Sequence, residues 1–149
     1  MINRVFVFCL SMICSSSLFA FPCVVTFVKS NCWVDYDVTI TLIDVANEKT
    51  VLTSTLPKQK LWERKEMNCN PRQTFHYTAT FTPEIWEGTA GKVYKAIRFW
   101  TLPEEIKKNQ TAWEIPICFS DAFAEVPLPP KVSGNCGCDF AKIPAIPPR

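Results

Sequence analysis

Residues 72–81 read Arg-Gln-Thr-Phe-His-Tyr-Thr-Ala-Thr-Phe. Phe75, Tyr77, Ala79 and Phe81 fall on one parity; Thr74, His76, Thr78 and Thr80 fall on the other. A period of two with one apolar set predicts a strand that buries one face and wets the other. The pattern repeats upstream, where Tyr36, Val38, Ile40 and Leu42 alternate with Asp35, Asp37, Thr39 and Thr41. Asn47-Glu48-Lys49 predicts a turn, and residues 50–56 a second strand. Residues 60–68 alternate less cleanly, and Asn70-Pro71 marks the next turn. Residues 82–91 form a longer connection that carries Trp86, and residues 92–102 read as a strand rich in aromatics. Pro103-Glu104-Glu105-Ile106 reads as one helical turn, since Pro suits the first helical position and acids suit the positive end. Trp113, Ile115, Ile117 and Phe119 share one face of a last strand, which Pro116 confines to an edge or a bulge. No segment sustains a helical period. About seven short strands, with turns roughly every ten residues, predict an all-β protein: a two-sheet sandwich of immunoglobulin-like or transthyretin-like architecture. The immunoglobulin spacing of Cys, Trp and Cys is not matched.

The amino end is of another kind. Residues 1–20 carry Arg4, an apolar run to Ile13, a Cys-Ser-Ser-Ser stretch and a small residue, Ala20, at a plausible cut. This predicts a secretory signal peptide, too short and too soon interrupted to span a bilayer. The mature chain is expected to begin at Phe21, in an oxidising compartment, either the periplasm or outside the cell. Its 129 residues are enough for one core. Residues 21–125 are expected to form the sandwich, and residues 126–149 a separate carboxy-terminal segment. Without Arg4, 15 basic residues face 14 acidic ones, so no nucleic-acid footprint or polybasic membrane patch is expected. No later apolar stretch reaches the length of a membrane span. Cys14 follows Ile13 and Cys23 follows Pro22, so neither has the small preceding residue that a lipidation site needs.

Six cysteines stay in the mature chain: Cys23, Cys32, Cys69, Cys118, Cys136 and Cys138. All six are assigned to disulfides, as an exported chain favours, and their connectivity stays open among 15 pairings. Cys136-Gly137-Cys138 is too short to close on itself without strain, so each of the two is expected to reach a cysteine in the body. From residue 126 the composition shifts, with six of the 12 prolines lying at 127, 129, 130, 144, 147 and 148. Such a segment is extended and ill suited to a sheet interior. Tied at Cys136 and Cys138, it is expected to lie on the sandwich with Leu128, Phe140 and Ile143 covered, while residues 145–149 stay unattached.

No catalytic constellation stands out. The one histidine, His76, sits on the threonine parity, where a ring is ordinarily solvated surface. There is no Gly-x-Ser-x-Gly turn, no Cys-x-x-Cys motif and no phosphate-cradling glycine loop. The pairs Asp35 with Asp37 and Glu84 with Glu87 could serve glycoside hydrolysis, but acids on a polar face are ordinarily plain solvation. Metal-ligand spacings are missing, so no metal and no cofactor is expected. Asn109-Gln110-Thr111 fits a glycosylation sequon, relevant only in a eukaryotic host. The best binding signal is tryptophan: Trp33, Trp62, Trp86, Trp100 and Trp113. Trp33, Trp100 and Trp113 are expected in the core. Trp86, in a loop after Pro83, and Trp62, between Lys60 and Arg64, are the candidate binding residues.

Four pieces of the chain carry a resemblance. They are Phe21-Pro22-Cys23, Asn31-Cys32-Trp33, Ala124-Glu125-Val126-Pro127-Leu128-Pro129-Pro130 and Asn135-Cys136-Gly137-Cys138-Asp139-Phe140. In these the chain resembles small cysteine-containing exported proteins of intracellular gamma-proteobacteria. The resemblance implies a compartment and no activity. Together these features predict an exported, non-enzymatic binding or structural protein that acts through protein–protein contacts in the cell envelope or outside the cell, by an edge strand or its Pro-rich tail. The alternatives are a carbohydrate-binding module built on Trp86 and Trp62, and a secreted effector or small hydrolase.

Overall fold

In the computed structural model residues 20–148 are described, so the expected signal peptide lies outside them except for Ala20. Eight strands form among the described residues: β1 (Phe21–Lys29), β2 (Asp37–Asp44), β3 (Lys49–Leu56), β4 (Trp62–Cys69), β5 (Thr74–Thr82), β6 (Tyr94–Lys95), β7 (Trp100–Thr101) and β8 (Trp113–Phe119). One sheet has the order β4-β1-β8; the other has the order β3-β2-β5-β6, with β7 also paired to β5. The first and last strands pair in parallel, Cys23 opposite Trp113 through Lys29 opposite Phe119. The other strand pairs are antiparallel. No helix among the described residues is long and apolar enough to cross a membrane.

The expected two-sheet sandwich is present. In the β2–β5 ladder Val38 meets Phe81, Ile40 meets Ala79 and Leu42 meets Tyr77, and all six side chains are buried. The other parity forms a threonine-rich outer face. There Thr39 and Thr55 are hydrogen-bonded at 2.9 Å, and Thr74 and Thr101 at 3.0 Å. Trp33 and Trp113 are in the core as expected, with Trp33 packed against Phe81 and Phe119. Trp100 is half-buried at the core's edge. Between the sheets, β3 and β4 meet at a polar corner: Ser54 donates to Glu63, and Lys65 Nζ donates to the Thr53 carbonyl at 2.7 Å.

Strand β1 has no alternation to predict it, because both of its faces are buried. Cys23, Val25 and Phe27 enter the core, while Val24, Thr26 and Val28 are covered on the far side. A strand covered twice reads as a continuous apolar run. Part of the far-side cover is the carboxy-terminal segment. Three disulfides cross the described residues: Cys23–Cys69, Cys32–Cys136 and Cys118–Cys138. The first ties β1 to β4 inside the core. The other two hold the tail to the body at the turn Asn31–Trp33 and at β8. Cys118 stands opposite Val28 in the ladder, so its bridge sets Cys138 over that face. Farther along, Arg64, opposite Thr26, donates to the Pro144 carbonyl.

Several expectations are corrected. Residues 92–102 are not one strand. Only Tyr94–Lys95 and Trp100–Thr101 pair with β5, and residues 97–99 loop outward. Pro103-Glu104-Glu105-Ile106 makes no helical turn; Glu104 instead pairs with Arg72 across the surface, and Arg72 N–H donates to the Pro103 carbonyl. Leu128 is 61% exposed and Phe140 41%, so neither is covered as expected, while Pro129 is buried and Ile143 half-buried. Two bonds fix the tail only around residues 136–138, and Leu128 lies too far upstream to be drawn down by them. Nor are residues 145–148 wholly detached: Ala145 and Ile146 line a shallow cleft with Thr26, Arg64 and Pro116.

Candidate functional site

A sheet of three strands packed against one of five leaves a slot. It lies beside β8, opposite the interrupted strand made of β6 and β7. Two clefts of about 540 and 370 Å³ run along it and share Trp100. The first is lined by residues 100–103 and 109–114, and the second by Tyr77, Ile97, Pro116, Ala122 and Phe140 among others. The groove closes at one end, where Ile97 N–H donates to the Ala122 carbonyl at 3.0 Å and Ala96 bridges Phe123. The other end opens between residues 109–112 and Trp100.

Its lips are apolar. Ile97, 61% exposed, is carried to the rim by the loop that interrupts the β6–β7 edge, whereas Phe99, 63% exposed, turns to the outer face beside His76. Phe140 stands at the tail side of the second cleft. Burial raises the Tyr77 phenol above its ordinary pKa, against the pull of Arg98, so the hydroxyl stays neutral at physiological pH. Arg98 and Asp121 add one charge of each sign.

The β8 backbone also faces this groove. Phe119 turns its carbonyl to Ser30 N–H at 3.1 Å, on the β1 side. Backbone groups alternate sides along a strand, so Trp113, Ile115 and Ile117 likewise bond toward β1. The N–H and C=O of Glu114, the C=O of Pro116 and the N–H of Cys118 therefore point into the groove. The Cys118 carbonyl is taken by Ala122 N–H at 2.9 Å. Pro116 has no N–H to lose, which is why the outward parity of an edge strand tolerates it.

The sequence-predicted candidates lie elsewhere. Trp86 is 59% exposed in the β5–β6 connection. Trp62 starts β4 in the other sheet, half-buried, with the Arg64 guanidinium 5.4 Å from its ring centroid. One face of Trp62 is thus occupied, and the cleft it lines, with Val28, Gly137 and Ile143, does not contain Trp86. The structure does not bring the two tryptophans together. His76 faces outward and its Nε2 lies 3.2 Å from Glu48 Oε2, with the Phe99 ring 6.0 Å from its own. Asp37 accepts from Lys58 N–H at 2.8 Å and Asp35 from Gln59 Nε2 at 3.1 Å, so both brace the turn after β3. Among the described residues no group of three or more His, Cys, Asp or Glu could hold a metal.

Lys29 is the residue that sequence reasoning passes over. Its side chain is only 1% exposed, and Nζ donates to the carbonyls of Tyr36, Leu56 and Pro57. Desolvation lowers its pKa to about 8, against the opposing pull of Asp37 and Asp35. It fastens the end of β1 to the turns flanking β2 and β3. A lysine ending an apolar run, Val-Val-Thr-Phe-Val-Lys, was the available signal. For the groove rim the signal was Ile97, apolar on the outward parity of residues 92–102, where Tyr94, Ala96, Trp100 and Leu102 are inward.

No protein-family model, curated protein or solved structure matches the chain. Geometry and chemistry alone carry the functional reading.

Proposed function

We propose that the protein is an exported, non-enzymatic binding protein of the periplasm or the cell exterior, and that it holds a protein partner in the groove beside β8. One observation carries this reading: Ile97 and Phe140 stand exposed in one cleft with a half-buried Trp100, on a surface otherwise well supplied with polar side chains. Clustered exposed apolar groups with a polar rim mark interaction sites. Three disulfides suit an oxidising location, and the predicted signal peptide supplies the route. The carbohydrate reading has weaker support, since only Trp86 of the two candidate tryptophans offers an open ring. The test is affinity capture from the envelope fraction with the tagged mature protein. A partner held by the wild type and lost from Ile97→Asp with Phe140→Asp, at unchanged melting temperature, supports the reading. A partner held equally by both refutes it.

A further inference from the structure

Resting on that groove reading, we infer that the partner enters as an extended strand added to the outer edge of β8, and that it comes from a different protein. An apolar groove alone would not specify a polypeptide. The outward backbone groups of Glu114, Pro116 and Cys118 do: they alternate along about 13 Å of strand, as the edge of a ladder does. A segment laid there would extend the three-stranded sheet by one strand, opposite β6 and β7, and its inward side chains would meet Trp100, Tyr77 and Ala122. Strand addition draws affinity from main-chain bonds and specificity from pockets for alternate side chains. The expected segment is therefore at least five residues long, with alternate residues apolar.

A second copy of this chain pairing through its own β8 fits poorly. In any twofold pairing of β8 with itself Pro116 is met twice, so two donors are missing. The Cys118 carbonyl is moreover taken by Ala122. A heterologous strand meets Pro116 once, leaving one of its own carbonyls unpaired, and can end short of the occupied Cys118 carbonyl.

The test uses the oxidised mature protein, labelled for amide exchange by NMR, and the synthetic peptide acetyl-Lys-Thr-Val-Thr-Val-Thr-Val-Lys-amide. Without peptide, the amides of Glu114 and Cys118 should exchange far faster than those of Trp113, Ile115 and Ile117. Saturating peptide should slow both by about tenfold or more. Glu114→Pro removes one outward N–H at a position that, like Pro116, makes no bond to β1. It should weaken peptide binding about tenfold, while Glu114→Gln, which keeps the N–H, should bind as the wild type does. Slow exchange at Glu114 and Cys118 before peptide is added overturns the inference, and so does peptide at millimolar concentration that leaves both amides unchanged. Equal binding by Glu114→Pro and the wild type, with loss in Ile97→Asp, overturns strand addition and leaves the groove reading standing. The groove reading falls only if Ile97→Asp with Phe140→Asp also keeps the envelope partner.

Discussion

Opening the Cys118–Cys138 bridge should peel the end of the tail from the β4-β1-β8 sheet while the sandwich stays folded. The perturbation is Cys118→Ala with Cys138→Ala. The bridge closes a loop across a separation of 20 residues. Chain-entropy arguments give such a loop about 3 kcal/mol. Val28, opposite Cys118, would gain exposure, and partial loss of its burial adds about 1 kcal/mol. Against a total of about 5–15 kcal/mol, a loss near 4 kcal/mol weakens the fold without abolishing it. Cys23–Cys69 and Cys32–Cys136 remain, so only the chain beyond Cys136 is released. Urea titration should show a lower midpoint, and limited proteolysis should cut between residues 139 and 148, where the native protein loses only its last few residues. Amide exchange along β1 should quicken. An unchanged midpoint together with an unchanged cleavage pattern would refute the view that this bridge holds the tail as a layer over β1.

Three further predictions follow from other parts of the molecule. Lys29→Met strips the donor from three carbonyls and should cost about 2–4 kcal/mol at neutral pH, read by urea titration. Because burial lowers the folded-state pKa of Lys29 to about 8, the unfolded chain binds more protons between there and its ordinary value near 10.5, so stability should rise across that window. Tyr77 and Tyr94, whose pKa values burial raises, reverse the trend above about pH 10. Lys29→Met should flatten the rise, and a rise of the same slope in the variant would show that Lys29 is not its source. His76→Ala removes the surface pair with Glu48 and the ring contact with exposed Phe99 and should shift stability by less than about 0.5 kcal/mol, with partner capture intact; loss of function at an unaltered melting temperature would revive the hydrolase reading. The intact mass of the exported protein should match residues 21–149 less six hydrogens, and three or more titratable thiols in denaturant would contradict the assigned bridges.

The strands legible in the sequence are those with one dry face. β5 and β2 declare themselves because Thr and His alternate with Phe, Tyr and Ile. β1 escapes because its second face is covered by chain more than a hundred residues away, a fact no local period can hold. Residues 92–102 mislead for the opposite reason: apolar side chains on both parities look like strand, yet Ile97 and Phe99 are apolar where they face water. The groove was not legible at all as a site. It arises from unequal strand numbers in the two sheets, and only the pairing order reveals those. What was legible is its edge, since Pro116 within an apolar alternation already excluded a central strand. The tail's attachment followed from the one-residue spacing of Cys136 and Cys138, whereas its choice of Cys32 and Cys118 needed three dimensions.

The parallel pairing of the first strand with the last has a consequence for how the molecule comes into being. A chain emerges from its amino end. Cys23 and Cys69 can meet once about half of it is out, but β1 waits for β8, and Cys32 waits for Cys136. Until then one edge of β1 is unpaired and Cys32 is a lone thiol. Loss of the last fourteen residues alone would therefore leave Cys32 and Cys118 without their partners, however well the preceding chain was made. The full set of crosslinks can therefore form only once Cys136 and Cys138 have both been made.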